Sequence, residues 1–298
     1  MSTERQGKFV RVSEREIHYI DEGSGPPLVL VHGWGFDNSA WNAVIAGLVA
    51  RYRVIAIDVR GHGRSEAGRA SYGMRDLSAD LFGLVTALDL PERPVLIGHS
   101  LGGMIVQQFA ADHPDALQAM VIIDADLNAS TGVRLVMSAG SRIGAWVMRL
   151  AALLLGSKRS LRLYQPLLNL VSYSKAWRKT NAAHLKEAGR TFQSNTVAGL
   201  VWSLRAYASR PDLTEALASV SCRALLIRGS NDVIMTQGKM TALARAIPGA
   251  RLEVVAGSGH MTIAEQPEAV VGLIDAFLQE EAPATGALTL TARHAAVT

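Results

Sequence analysis

Val95-Leu96-Ile97-Gly98-His99-Ser100-Leu101-Gly102-Gly103 sets an apolar run, Val95–Ile97, directly against the pattern G-x-S-x-G. Helical spacing follows over Leu101–Ala111, until His113-Pro114 stops it. A serine on such a strand-to-helix turn is forced into strained backbone geometry, which projects its hydroxyl above the sheet. Glycines flank it because strand and helix approach too closely for side chains. A bare match to the pattern could be an ordinary turn that contains a serine. The strand before and the helix after it argue for a nucleophile.

The same alternation extends outward in both directions. Upstream, Lys8–Val12 and Ile17–Ile20 read as two strands joined by a tight turn. Leu28–Val31 and Val54–Ile57 are pure apolar runs, with helical patterns at Trp41–Ala50 and Asp76–Leu88. Downstream come strands Met120–Ile123, Ala224–Ile227 and Leu252–Val255, with helices at Thr241–Ile247 and Ala269–Leu278. Continuous apolar strands, each followed by a helix, predict a mostly parallel central sheet buried on both faces, an α/β fold. The alternation breaks between Asp124 and about Pro211, where the sequence turns helical throughout. This predicts a core of 1–126 and 211–281, a helical insertion over 127–210, and a loose tail over 282–298.

Charge marks the insertion independently. Residues 127–210 hold thirteen Lys and Arg against one acid, Glu187, for a net +12, while the rest of the chain carries −8. The chain as a whole has 298 residues, 49% of them hydrophobic and 19% charged, which argues against disorder. A single cysteine, Cys222, excludes an intrachain disulfide. The polar start, Met1–Gln6, does not read as a signal peptide. Ala145–Leu155, interrupted by Arg149, is too short to span a bilayer. The expectation is a soluble, cytoplasmic protein.

The four landmarks, taken in order, resemble the α/β-hydrolase superfamily, over roughly Lys8 to Leu278. They are His32-Gly33-Trp34-Gly35 after the third strand, Asp58-Val59-Arg60-Gly61-His62-Gly63-Arg64-Ser65 after the fourth, the Ser100 elbow after the fifth, and Gly257-Ser258-Gly259-His260-Met261 with Glu265-Gln266-Pro267 near the end. The resemblance implies that Ser100 is a nucleophile and His260 its base. It implies an orienting acid at Asp232, in Gly229-Ser230-Asn231-Asp232, with Asp124 at the end of the preceding strand as the alternative. Backbone N–H groups of Leu101 and Trp34 would stabilise an oxyanion, and the Trp34 ring would pack over the pocket mouth. The chain has eight histidines. Of the others, His32 reads as a brace for its loop, His62 and His99 as variable or structural positions, and His113 as a helix-end residue. Asp58 reads as a structural turn residue.

In the family an insertion at this point forms a helical cap over the site and selects the substrate. Trp146, Trp177 and Trp202 suggest an apolar underside. Lys158, Arg159, Lys175, Arg178 and Lys179 read first as a solvated outer face. Alternative readings are attraction to an anionic substrate or membrane surface, with Ala145–Leu155 as an amphipathic lid, and an arginine reaching inward to a substrate carboxylate. Nucleic acid is not an expected partner, since no recognised module appears.

The expected function is hydrolysis of a carboxylic ester or lactone of a small, largely apolar acyl substrate, in the serine esterase and enol-lactonase branch. No metal or organic cofactor is expected. Serine in place of aspartate at the elbow disfavours the haloalkane dehalogenase and epoxide hydrolase branches. Met261, where carbon–carbon hydrolases usually carry tryptophan, disfavours that chemistry. Thioesterase and cofactor-free perhydrolase activities use the same triad. A ligand-binding or non-hydrolytic protein on this fold is the reading from another class.

Overall fold

Five-residue runs without a polar side chain bury both faces or stay insoluble, and here they form the middle of a sheet. A computed structural model describes residues 5–127 and 157–280. Its strands are β1 Gly7–Val12, β2 Arg15–Glu22, β3 Pro27–Val31, β4 Arg53–Ile57, β5 Val95–His99, β6 Ala119–Ile123, β7 Arg223–Gly229 and β8 Arg251–Val255. They form one eight-stranded sheet in the order β1-β2-β4-β3-β5-β6-β7-β8. β2 pairs antiparallel with both β1 and β4, and every later pairing is parallel. All residues of β3, β5 and β6 are buried.

Alternate strand residues feed two cores. Val29, Val31, Leu96, Met120 and Ile122 face one layer. Leu28, Leu30, Ile97, Val121 and Ile123 face the other. The first layer is closed by α2 Met74–Ala87, α3 Leu101–Asp112, α8 Thr214–Ala218 and α9 Gln237–Ala246. The second is closed by α1 Asn42–Leu48 and α11 Pro267–Gln279, with Trp41, from the 3₁₀ turn Asn38–Trp41, fully buried between sheet and helix. Side chains of this size contribute roughly 1.5–3 kcal/mol each on full burial.

The strand order reverses between β3 and β5. In an open parallel sheet that point leaves a crevice beyond the carboxyl ends of the strands, where ligands bind. The loop from His32 and the elbow at Ser100 both leave the sheet there, from neighbouring strands.

Among the described residues, four helices lie between β6 and Arg210: α4 Ser157–Ser172, α5 Lys175–Thr180, α6 Ala182–Ser194 and α7 Val197–Ala208. The insertion is therefore helical where it is described, and Trp146 and Ala145–Leu155 lie outside the described residues, as does the 282–298 tail. The helices share a small core of Leu161, Phe192 and Leu200. Polar contacts bind them to the loops at the sheet's carboxyl end. Trp34 Nε1 donates to Leu200 O (2.9 Å), Tyr72 Oη to Gly199 O (3.0 Å), Asn195 Nδ2 to Gly35 O (3.0 Å), and Gly63 N to Asn195 Oδ1 (3.1 Å). At the return to the core, Arg210 pairs with buried Asp126 at 2.5 Å.

The two described tryptophans of the insertion are not among the residues of its apolar cavity wall. Trp202 packs edge-on to Tyr72 of the core (5.9 Å) and so helps attach the insertion, while Trp177 stacks on Tyr173 (4.9 Å) within the insertion. Of the basic residues read as an outer face, Arg159, Lys175 and Lys179 are exposed, Arg178 is half-buried, and the Lys158 side chain lies outside what the structure describes. A last short helix, α10 Thr262–Glu265, sits between His260 and α11 and was not expected from its spacing.

Candidate active site

Ser100 is held at φ 51°, ψ −117°, at the N-terminus of α3. That backbone region is unfavourable for any residue with a Cβ and costs about 1–3 kcal/mol. The packing behind it enforces the turn. A Cβ at Gly98 would collide with the Gly102 carbonyl, and one at Gly102 would collide with the Val31 carbonyl. Strand β5, helix α3 and strand β3 therefore meet backbone to backbone, and the serine side chain is pushed out at the carboxyl end of the sheet.

Three loops bring the candidate groups together. Ser100 Oγ lies 2.9 Å from His260 Nε2, and His260 Nδ1 lies 2.8 Å from Asp232 Oδ2. The carboxylate accepts from Nδ1–H, which leaves Nε2 unprotonated to accept the serine hydroxyl. Asp232 is anchored in turn, its Oδ1 accepting from Ile234 N (2.7 Å) and Met235 N (2.9 Å). Burial pushes the Asp232 carboxyl up, but the His260 bond and these two amides outweigh it and hold its pKa below the ordinary value. Burial pulls the His260 imidazole down, while the bond to Asp232 and its charge raise it further, so the net shift is upward.

Asp124 does not contact the imidazole. Its Oδ1 accepts from Gly229 N (2.9 Å), and Oδ2 stands 3.9 Å from His99 Nε2 without a hydrogen-bond partner. It is fully buried, and burial together with the nearby Asp232 charge pushes its pKa up to about 8. Near neutral pH it is a protonated neighbour of the Asp232–His260 pair.

The remaining histidines singled out in the sequence are scaffolding, buried at His32, His62 and His99 and half-buried at His113. His32 Nδ1–H donates to Gly33 O (2.8 Å) and Nε2 accepts from Val59 N (2.9 Å), which ties the β3 loop to the β4 loop in a neutral ring. His99 Nε2–H donates to the His260 carbonyl (2.7 Å), and burial takes its pKa down to about 3. His62 is likewise pushed to about 3 by burial. His113 caps α3 and stacks on Phe82. Asp58 is a hub, accepting from Asn38 N (2.8 Å), Arg64 N (2.8 Å) and His18 Nδ1 (2.8 Å).

A cavity of about 180 Å³ opens on Ser100 and His260. Its walls are mainly apolar, with Trp34, Phe36, Leu168, Phe192, Leu204 and Met235 prominent, and no Lys or Arg lines it among the described residues. Trp34 and Leu101 both border the cavity. Leu101 is the first residue of α3, so its N–H has no acceptor within the helix. The individual wall residues of α4, α6 and α7, such as Leu168, Phe192 and Leu204, were not legible in the sequence, because an amphipathic helix announces an apolar face without saying what it faces. No cluster of three or more His, Cys, Asp or Glu fit to hold a metal occurs among the described residues.

A model of the alpha/beta hydrolase family matches residues 28–273. The chain belongs to that family. Among relatives of this alpha/beta hydrolase, an uncharacterized protein of Mycobacterium tuberculosis is 30% identical over 283 residues, 88% of this chain and 78% of that protein. A pimeloyl-[acyl-carrier protein] methyl ester esterase of Nitrosomonas europaea is 31% identical over 269 residues, 88% of this chain and 99% of that enzyme. A thermophilic esterase from Thermogutta terrifontis superposes with a TM-score of 0.82 at 27% identity, over 92% of this chain and 98% of that one. The alpha/beta hydrolase is accordingly an enzyme with esterase relatives, and no described helix is long and apolar enough to cross a membrane.

Proposed function

We propose that the protein hydrolyses a carboxylic ester or lactone of a small, largely apolar acyl compound by way of an acyl-enzyme. The observation that carries this reading is the unbroken hydrogen-bonded chain from Ser100 through His260 to Asp232, opening into an apolar cavity. His260 Nε2 takes the hydroxyl proton as Ser100 Oγ attacks the carbonyl carbon. Asp232 holds the ring and stabilises the imidazolium that forms. The amides of Leu101 and Trp34 receive the negative charge on the carbonyl oxygen. His260 then returns the proton to the departing alkoxide. Water, deprotonated by the same imidazole, releases the acid and frees Ser100.

The inserted helices act as a cap in this reading. The likeness to a methyl ester esterase along nearly its whole length supports ester chemistry. Wild type and Ser100→Ala treated with a fluorophosphonate test it by intact mass, with short and medium nitrophenyl esters assayed in parallel. One adduct and loss of turnover on wild type alone is the expected result. An unlabelled, inert wild type would reject the hydrolase mechanism.

A further inference from the structure

The loop that carries His260 is tied to the insertion at both of its neighbours, directly at Met261 and by way of Glu265 at Gly259. Gly259 N donates to Glu265 Oε1 (3.0 Å), and Ser174 N, at the junction of α4 and α5, donates to the same carboxylate at 3.1 and 3.2 Å. Met261 N donates to Ser172 O (2.9 Å), from the last residue of α4. A Cβ on Gly259 would stand 2.6 Å from Ser174 N and 2.8 Å from Glu265 Oε1, so only glycine admits this approach. The core side contributes the His99 bond to the His260 carbonyl. Glu265 is buried, so its two amide partners replace the water its carboxylate has lost.

We infer that Glu265 is a positioning residue that couples the placement of the inserted helices to the placement of the His260 imidazole. The inference rests on His260 being the base. One carboxylate bridges two segments 85 positions apart in the chain, Ser174 and Gly259, and the Met261–Ser172 bond runs beside it. Any displacement of the α4–α5 junction, such as substrate entry beneath the helices would require, pulls on both peptide units that flank His260. The base is in register with Ser100 only while the junction is seated, and proton transfer is sensitive to displacements well under an ångström. Chemistry is thereby confined to the closed arrangement.

Two variants cut the bridge from opposite ends. Glu265→Ala removes the acceptor. Ser174→Pro removes the donor on the insertion side, at a residue whose φ of −60° already suits proline. Glu265→Gln keeps one oxygen, enough for both Oε1 bonds. Two readouts are taken: amide exchange at Met261, whose bond to Ser172 is untouched by any of these changes, and nitrophenyl ester kinetics. Glu265→Ala and Ser174→Pro are expected to speed Met261 exchange and to lower kcat by about 10- to 100-fold with KM within about threefold, and Glu265→Gln to restore both to near wild type. Unchanged Met261 exchange in both cutting variants, or an effect confined to KM, would overturn the coupling. The exchange readout needs no turnover. A protein inert in its wild-type form but deprotected at Met261 in the variants would overturn the hydrolase reading and leave the coupling standing.

Discussion

Two aspartates compete for one role, and their surroundings separate them. Asp232 is ionised by three hydrogen bonds, whereas Asp124 has one amide partner and a fully buried second oxygen that favours a proton. Asp232→Asn should therefore lower kcat by about 10²- to 10⁴-fold, because the amide can stabilise the wrong imidazole tautomer. Asp124→Asn, close in shape and charge to the protonated acid, should stay within about tenfold on the same ester assay. The raised pKa of His260 fixes the sign of the pH dependence. Only the neutral ring accepts the serine proton, so kcat/KM should rise with pH through an apparent pKa above the usual imidazole value of about 6.5. The stability supplied by the His260–Asp232 pair runs the other way. It is complete below the unfolded imidazole pKa and is lost as pH climbs through the raised folded value. A pH–rate profile and a pH series of Tm values should thus have opposite slopes across this window. The strain at Ser100 gives a further test. Ser100→Gly and Ser100→Ala both remove the proposed nucleophile, but only glycine accepts φ 51° freely, so Ser100→Gly should melt higher, by about 1 kcal/mol of unfolding free energy.

Between elements, the sheet and the inserted helices are joined by different forces. α3 lies in the core with residues Leu101 to Ala110 all buried, and large apolar surface holds it. The junction of α6 and α7 is instead fastened to the β3 and β4 loops by Asn195, Trp34 and Tyr72, each through backbone groups. Such contacts hold position at a modest net gain, about 1 kcal/mol per bond, and leave buried donors unsatisfied when cut. Asn195→Ala strips Gly63 N and Gly35 O of their partner. Faster amide exchange and earlier proteolytic cleavage within α4–α7 are expected, with protection in β3, β5 and β6 unchanged. Equal loss of protection in the sheet would mean that insertion and core form one cooperative unit.

Across the whole molecule, one buried ion pair marks where the chain re-enters the core. Arg210 and Asp126 are both nearly inaccessible, and Lys239 Nζ stands 3.5 Å from the second Asp126 oxygen. Arg210→Met leaves a buried carboxylate with a weaker partner and should cost about 3 kcal/mol in denaturant unfolding. Adding Asp126→Asn should recover part of that loss, because the stranded charge is what is costly. The parallel sheet, the elbow and the order of the loops were legible in the chain itself. Val95–Ile97, Gly98 and Gly102 obey local rules, since a run of apolar residues has no stable place except a buried strand and a turn that tight admits no Cβ. The meeting of Ser100 with His260, 160 positions away, could be expected only through family resemblance. What sequence left open needed distance and burial to settle. Asp232 and Asp124 are the same residue at the ends of neighbouring strands, and only the fold sets which carboxylate faces the imidazole and which is driven to hold its proton. Trp177 and Trp202 looked like cavity wall, yet Trp177 stacks within the insertion and Trp202 packs on Tyr72 of the core, since helical spacing defines a face without naming what it meets. Glu265 belonged to a recognisable Glu-Gln-Pro run, yet its bridge from Gly259 to Ser174 exists only where tertiary packing brings two backbones close enough for one carboxylate to accept from both.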